Sequence, residues 1–269
     1  MRELGIEFIS VFGLPPVEFV HLAADLGCRY ISIALTGRPL ESLGYPAFSL
    51  KDDVRLRRDL LTAMDDRGVG ISLGEGMVIT GASDVSDLAP DLDIMAALGV
   101  AQVNSLSFDP DRNRTLDQLA MLTEMGAERG IGTTIEMAPG LTIGDLSAVA
   151  AAVEHVGRPE LRLLVDTMHW ARSGYGGAEL RGLEPEKIGY IQLSDATRKP
   201  RMKSYLEEAM YERMAPGDGE LLLAEILGAA PDDVVVGLEI PMRSLAEAGV
   251  GPMDRLRPCV AAAHELLRR

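Results

Sequence analysis

Apolar residues recur along this chain in two alternating rhythms. Short, nearly continuous runs such as "RYISIAL" (29–35) and "DVVVGLEI" (233–240) give way to longer stretches with apolar positions three and four apart, such as "SLKDDVRLRRDLLTAMDDRG" (49–68). The first rhythm suits a strand buried on both faces, and the second an amphipathic helix. Strands are predicted over 6–12, 29–35, 69–76, 101–107, 131–137, 161–167, 188–195 and 233–240. Helices are predicted over 15–27, 49–68, 87–99, 115–130, 142–157, 177–187, 221–230 and 253–269, with 177–187 the weakest. Pro15 and Pro16 open the first helix, and Gly27 and Gly68 close the first two, as helix punctuation requires.

Strict alternation implies parallel strands joined by helical crossovers. Eight such units, with no composition shift along 1–269, predict one α/β domain folded as a closed (β/α)₈ TIM barrel. An open doubly wound sheet would need a glycine-rich phosphate turn after an early strand, and "FGLPP" (12–16) does not supply one.

Charge narrows the partners. Net charge is −15, and so acidic a surface repels nucleic acid and anionic membranes. Small molecules are the expected ligands, with a homodimer as an open possibility. No apolar run reaches the length of a membrane span, and "MRELGIEFISVFG" lacks the pattern of a signal peptide. The two cysteines, Cys28 and Cys259, are far apart with no CxxC spacing, so reduced thiols and a cytoplasmic setting are expected.

Barrel chemistry gathers where strands end. The third predicted strand ends at Glu75, the fourth passes Asn104, and the fifth ends at Glu136. The sixth, "LLVDTMHW" (163–170), stops at Asp166 with His169 just beyond. The seventh holds Gln192 and ends at Asp195, and the eighth ends at Glu239. Carboxylates converging on one mouth repel unless a cation or protons lie between them. Glu136, Asp166, Gln192 and Glu239 therefore form a candidate site for one divalent ion, and an all-oxygen set favours Mg²⁺ or Mn²⁺. Asp195 reads as a loop cap, and Asn104 as a deeper group pairing with backbone.

Five segments, "TIEMAP", "LLVDTMHW", "YIQLSD", "RMAPGDGEL" and "VVGLEI", together resemble the xylose-isomerase-like sugar isomerase/epimerase superfamily. Within it, the chain looks most like the hydroxypyruvate-isomerase, tagatose-epimerase and keto-acid dehydratase-like branches. The resemblance implies metal ligands at Glu136, Asp166, Gln192 and Glu239, and substrate contact from His169. Gln192 stands where many members have His. Arg213 is kept in "AMYERMAPG", but Met210 replaces an arginine that related members often carry. The implied activity is isomerisation or epimerisation of a keto-sugar or related polyol ketone by proton transfer next to a carbonyl. Glu136, Glu239 and His169 would be the catalytic groups, and His169, Arg213 and Glu75 the substrate contacts. Dehydration of a cyclic keto-acid or keto-polyol is the alternative, since it starts with the same proton abstraction. Apurinic endonuclease activity is disfavoured by four histidines in all and by the acidic charge. A non-catalytic sugar-binding barrel would need no paired Glu.

The segment 198–214 holds Arg198, Lys199, Arg201, Lys203 and Arg213, and reads either as a lid over the mouth or as a solvated loop-helix. Met137, Met168, Met214 and Met242, if they lined that mouth, would make it more apolar than a site for an open-chain sugar.

Overall fold

Each strand segment pairs in parallel with two neighbours until the sheet closes. The computed structural model describes residues 2–37 and 39–268. The barrel strands are β1 (Leu4–Ile6), β2 (Tyr30–Ile33), β3 (Gly70–Ile79), β4 (Gln102–Ser107), β5 (Gly132–Glu136), β6 (Leu161–Asp166), β7 (Ile188–Leu193) and β8 (Val236–Leu238). They run in sequential order around the barrel, and β1 closes it by pairing with both β2 and β8. Crossover helices wrap the outside, and the main apolar core fills the layer between them and the strands. This is the (β/α)₈ TIM barrel that the alternation implied.

Most strands lie within their predicted limits, β8 much shorter than 233–240, but two run outside them. Apolar residues continue to Phe12, but β1 stops at Ile6 and Phe8–Val11 forms a 3₁₀ turn. The Ser10 hydroxyl donates to Leu238 O at 2.9 Å and accepts from Ile240 N–H at 2.8 Å, taking over the ladder there. A buried turn and a buried strand have the same hydropathy, so periodicity cannot separate them. β3 runs past Glu75 to Ile79. Its register against β4 jumps between Gly74 and Met77, and Gly76 takes φ +100°. This is a bulge that glycine permits, and it leaves Glu75 on the wall of the barrel mouth.

The predicted helix over 49–68 begins at Val54, where the Asp53 side chain caps it by accepting from Leu56 N–H. Residues 48–49 instead pair with 36–37 in a small antiparallel ladder. The weak segment 177–187 resolves into a short helix (Gly177–Arg181) and a 3₁₀ turn (Pro185–Lys187). Cys28 falls just beyond the first helix (Pro16–Asp25), and Cys259 in the last one (Pro252–Leu267); both are buried and unbonded. Among the described residues, no helix is long and apolar enough to cross a membrane.

Inside the barrel, Leu73, Leu164 and Tyr190 form a cluster separate from the outer core. The Tyr190 hydroxyl donates to Glu7 Oε1 at 2.7 Å and meets Ser72 Oγ at 2.9 Å. Room for the fully buried Glu7 carboxyl comes from Gly237, where a Cβ would fall 1.6 Å from Glu7 Oε1.

Candidate active site

The mouth at the strand ends opens into a cavity of about 580 Å³. Glu75, Glu136, His169, Arg213 and Glu239 all line it. Asp166 and Gln192 lie beneath, each 1% exposed, in register across β6 and β7. The sequence-derived set is therefore gathered at one end of one barrel.

Glu136 is fixed from the adjacent strand. Asn104 Nδ2 donates to Glu136 Oε2 at 2.6 Å, and Thr134 Oγ1 donates to Asn104 Oδ1 at 3.1 Å. Asn104 thus does more than pair with backbone, contrary to the sequence reading. The other carboxylate oxygen, Oε1, lies 3.3 Å from His169 Nε2. His169 is held from behind, where its Nδ1 meets the Tyr205 hydroxyl at 2.5 Å.

Asp166 ends β6 and caps the short helix after it (Thr167–Arg172). Its Oδ1 accepts from the His169 backbone N–H at 2.8 Å, while Oδ2 accepts from Arg213. The strand-end Asp thus caps a turn and also meets Arg213 beneath the mouth. A carboxylate offers about four lone-pair positions, so these bonds do not exhaust it. Burial is the largest single influence and opposes ionisation here, but the Arg213 guanidinium, His169 and the hydrogen bonds from Glu239 and Arg213 outweigh it in sum. Together they hold Asp166 well below the usual carboxylate range.

Glu239 is held the opposite way. Burial pushes its carboxyl well above the ordinary value, the neighbouring Asp166 and Glu136 add to the rise, and Arg213 opposes it. Arg213 Nη2 lies 2.8 Å from Glu239 Oε2, yet that oxygen has no aligned hydrogen bond. Glu75 is raised too, by burial first and then by Glu7 and Glu136. The carboxyls at and beneath the mouth are thus pushed in opposite directions, Asp166 down and Glu239 and Glu75 up.

The ligand atoms of Glu136, Asp166 and His169 all lie within 4.8 Å of one another, close enough to share one ion. Both polar atoms of the buried Gln192 side chain lack an aligned hydrogen-bond partner, although the amide lies close enough to influence the Glu7 carboxyl. The donors fit a divalent metal. An imidazole nitrogen among them moves the set away from all-oxygen and widens the choice beyond Mg²⁺ and Mn²⁺ to Zn²⁺.

The segment after β7 does lie over the mouth. Its helix (Tyr205–Tyr211) contributes Tyr205, Leu206, Ala209 and Met210 to the cavity wall. Its basic residues divide: Arg201 approaches the buried Glu208, which also binds Arg172, whereas Arg213 turns inward to Asp166 and Glu239. None of Met137, Met168, Met214 and Met242 lines the cavity, so the condition for their making the mouth apolar is not met; Met168 and Met137 are buried, and Met210 lines the wall. Asp195 is a loop cap as read, accepting from the N–H groups of Ala196, Gly217 and Leu221. Glu7, Asn104 and Tyr205 were not read as site residues. Glu7 carried a signal, a carboxylate inside an apolar run; Tyr205 carried none.

Residues 20–259 match the family model described as "Xylose isomerase-like TIM barrel". The chain belongs to this family. No curated protein sequence matches it. Among solved structures, this xylose isomerase-like barrel superposes on the IOLI protein with a bound zinc atom at TM-score 0.79 and 17% identity, covering 99% of this chain and 98% of that one. It superposes on D-allulose 3-epimerase from Methylomonas sp. in complex with D-allulose at TM-score 0.70 and 16% identity, covering 99% and 96%. It also superposes on the probable 3-DHS dehydratase AsbF from Bacillus anthracis at TM-score 0.74 and 15% identity, covering 97% and 98%. At these identities the likeness establishes the fold of the barrel.

Proposed function

We propose that the chain is a divalent-metal-dependent isomerase or epimerase that moves a proton next to the carbonyl of a keto-sugar or related hydroxyketone. The observation that supports this most is the pair Glu136 and Glu239 on one cavity, with Glu239 driven toward its protonated form. Proton abstraction and return need one carboxyl ionised and one able to donate. Glu136, fixed by Asn104, is the base; Glu239 returns the proton from the far side of the mouth. His169, held by Tyr205, faces Glu136 and supports the substrate oxygen. Glu136, Asp166 and His169, with Gln192 and Glu239 beside them, would hold the ion. When bound, it supplies Lewis-acid polarisation of two vicinal substrate oxygens. The D-allulose 3-epimerase and IOLI likenesses accord with this reading through the fold.

Glu75 favours a second outcome on the same site. A carboxyl on the cavity wall whose ionisation is opposed by burial can protonate a departing β-hydroxyl, so that the same abstraction ends in dehydration. The test is solvent deuterium incorporation beside the carbonyl of hydroxyketones, with Mn²⁺ supplied. Wild type should exchange, and Glu239→Gln should lose roughly 10²–10⁴-fold in turnover. Exchange at the full rate in Glu239→Gln would remove that residue from the reaction.

A further inference from the structure

Above its polar floor, the cavity changes character. Val78, Leu106, Phe108, Leu141, Leu206 and Met210 make up much of the wall. Phe108, Leu206 and Met210 are 49%, 53% and 38% exposed, and they count among the few large apolar side chains the fold leaves open to water. Three such residues from two separate loops, β4's and the one after β7, meet on one cavity. Large exposed apolar surface gathered around a polar centre marks a ligand site rather than stray surface.

Cations are scarce there. Among the described residues lining the cavity, Arg213 is the one guanidinium, and it is committed to Asp166 and Glu239. The acidic lining groups are the carboxyls Glu75, Glu136 and Glu239. Arg172 and Arg201 lie outside the cavity lining, Arg172 paired with the buried Glu208 at 3.1 Å and Arg201 3.8 Å from it. Among the described residues lining the cavity, a phosphate or carboxylate on the outer part of a substrate would meet no uncommitted guanidinium or ammonium group, and would face carboxyls instead. A row of hydroxyls would lose its water against Leu and Phe side chains without replacement hydrogen bonds.

We infer that the substrate is an uncharged hydroxyketone whose body, beyond the two vicinal oxygens, is an apolar ring. This rests on the proposed function for the head of the molecule and adds the class of the body. The head reaches down to Glu136, His169 and Glu239, and the ring lies between Phe108, Leu206 and Met210.

The test uses one head, HOCH₂–CO–R, with R varied: phenyl, cyclohexyl, a dihydroxyethyl group, carboxylate, or a phosphorylated hydroxymethyl group. Binding is measured by calorimetry on the full chain, with and without Mn²⁺, and deuterium exchange is followed in parallel. Phenyl and cyclohexyl members should bind roughly 10–100-fold more tightly than the dihydroxyethyl member, the ratio expected from burying one ring face. Phe108→Ser with Leu206→Ser should erase most of that ratio while Mn²⁺ binding stays unchanged. Equal or tighter binding of the hydroxylated, carboxylate or phosphate member overturns the inference, as does a ratio that survives both substitutions or no saturable binding of the ring compounds. Exchange without ring preference would sink the substrate class alone. Ring preference without exchange on any member would sink the proton-transfer reading alone.

Discussion

Asn104 donates its side-chain amide to Glu136 Oε2 across 2.6 Å, from one barrel strand to the next. This bond leaves Glu136 with one committed oxygen and one, Oε1, turned to His169. Asn104→Ala should let the carboxylate rotate and lower kcat/KM by roughly 10–100-fold, the range for losing a group that orients a ligand. Asn104→Asp should be worse at neutral pH, because it replaces the amide donor to Glu136 with a carboxyl set against it. Steady-state rates of deuterium exchange check both, and wild-type rates in Asn104→Ala would show that Glu136 needs no such support.

Tyr205 anchors His169 from the lid. Tyr205→Phe removes the hydroxyl and keeps the ring, so the fold and the cavity wall should persist. The imidazole then loses its fixed orientation, and kcat should fall by about tenfold or more with KM little changed. The pH–rate profile should also shift, since the partner of Nδ1 is gone. An unchanged profile would mean the contact is packing only.

Burial raises the Glu7 carboxyl above its ordinary value. A folded-state value above the unfolded one, near about 4.3 for Glu, means that its stability contribution is complete below that pH and is lost as pH rises through the folded value. Glu7→Gln keeps an oxygen for Tyr190 and cannot ionise. Its melting temperature should exceed that of wild type at neutral and alkaline pH, by roughly 2–4 °C per kcal/mol of relieved burial. The gap should close by about pH 4. A parallel pair of curves across that range would contradict the assignment.

Arg213 and a divalent ion both seek the charges of Asp166 and Glu239. Arg213→Met removes the resident guanidinium and strands two buried carboxyls, so the metal-free variant should melt lower than wild type. Added Mn²⁺ should then raise the melting temperature more in the variant than in wild type, by binding linkage. An equal Mn²⁺ response in both would show that the guanidinium and the ion do not share these ligands.

How far the sequence reaches depends on which residues announce themselves. Alternating periods disclose the barrel strands from β2 to β8, because each lies in a compact apolar run bounded by a helix of different rhythm; the run over 6–12 meets β1 only at Ile6. Glu136, Asp166, Gln192 and Glu239 stand out because a polar group ends or interrupts such a run. The β3 bulge does not stand out: Gly74-Glu75-Gly76 reads as a strand end, and only the register with β4 shows that the strand continues. Tyr205 and Asn104 act across large sequence separations, so no local pattern points to them. The apolar wall is hidden for the same reason. Phe108 and Met210 are unremarkable in their own segments and meet only when the lid helix lies over the mouth.

The most direct test of the metal centre is a calorimetric titration of Mn²⁺ into the full chain, repeated on Asp166→Ala and Gln192→Leu. The account predicts one ion per chain, binding lost in Asp166→Ala, and affinity reduced in Gln192→Leu. No saturable binding in wild type, or binding indifferent to Asp166→Ala, would contradict it.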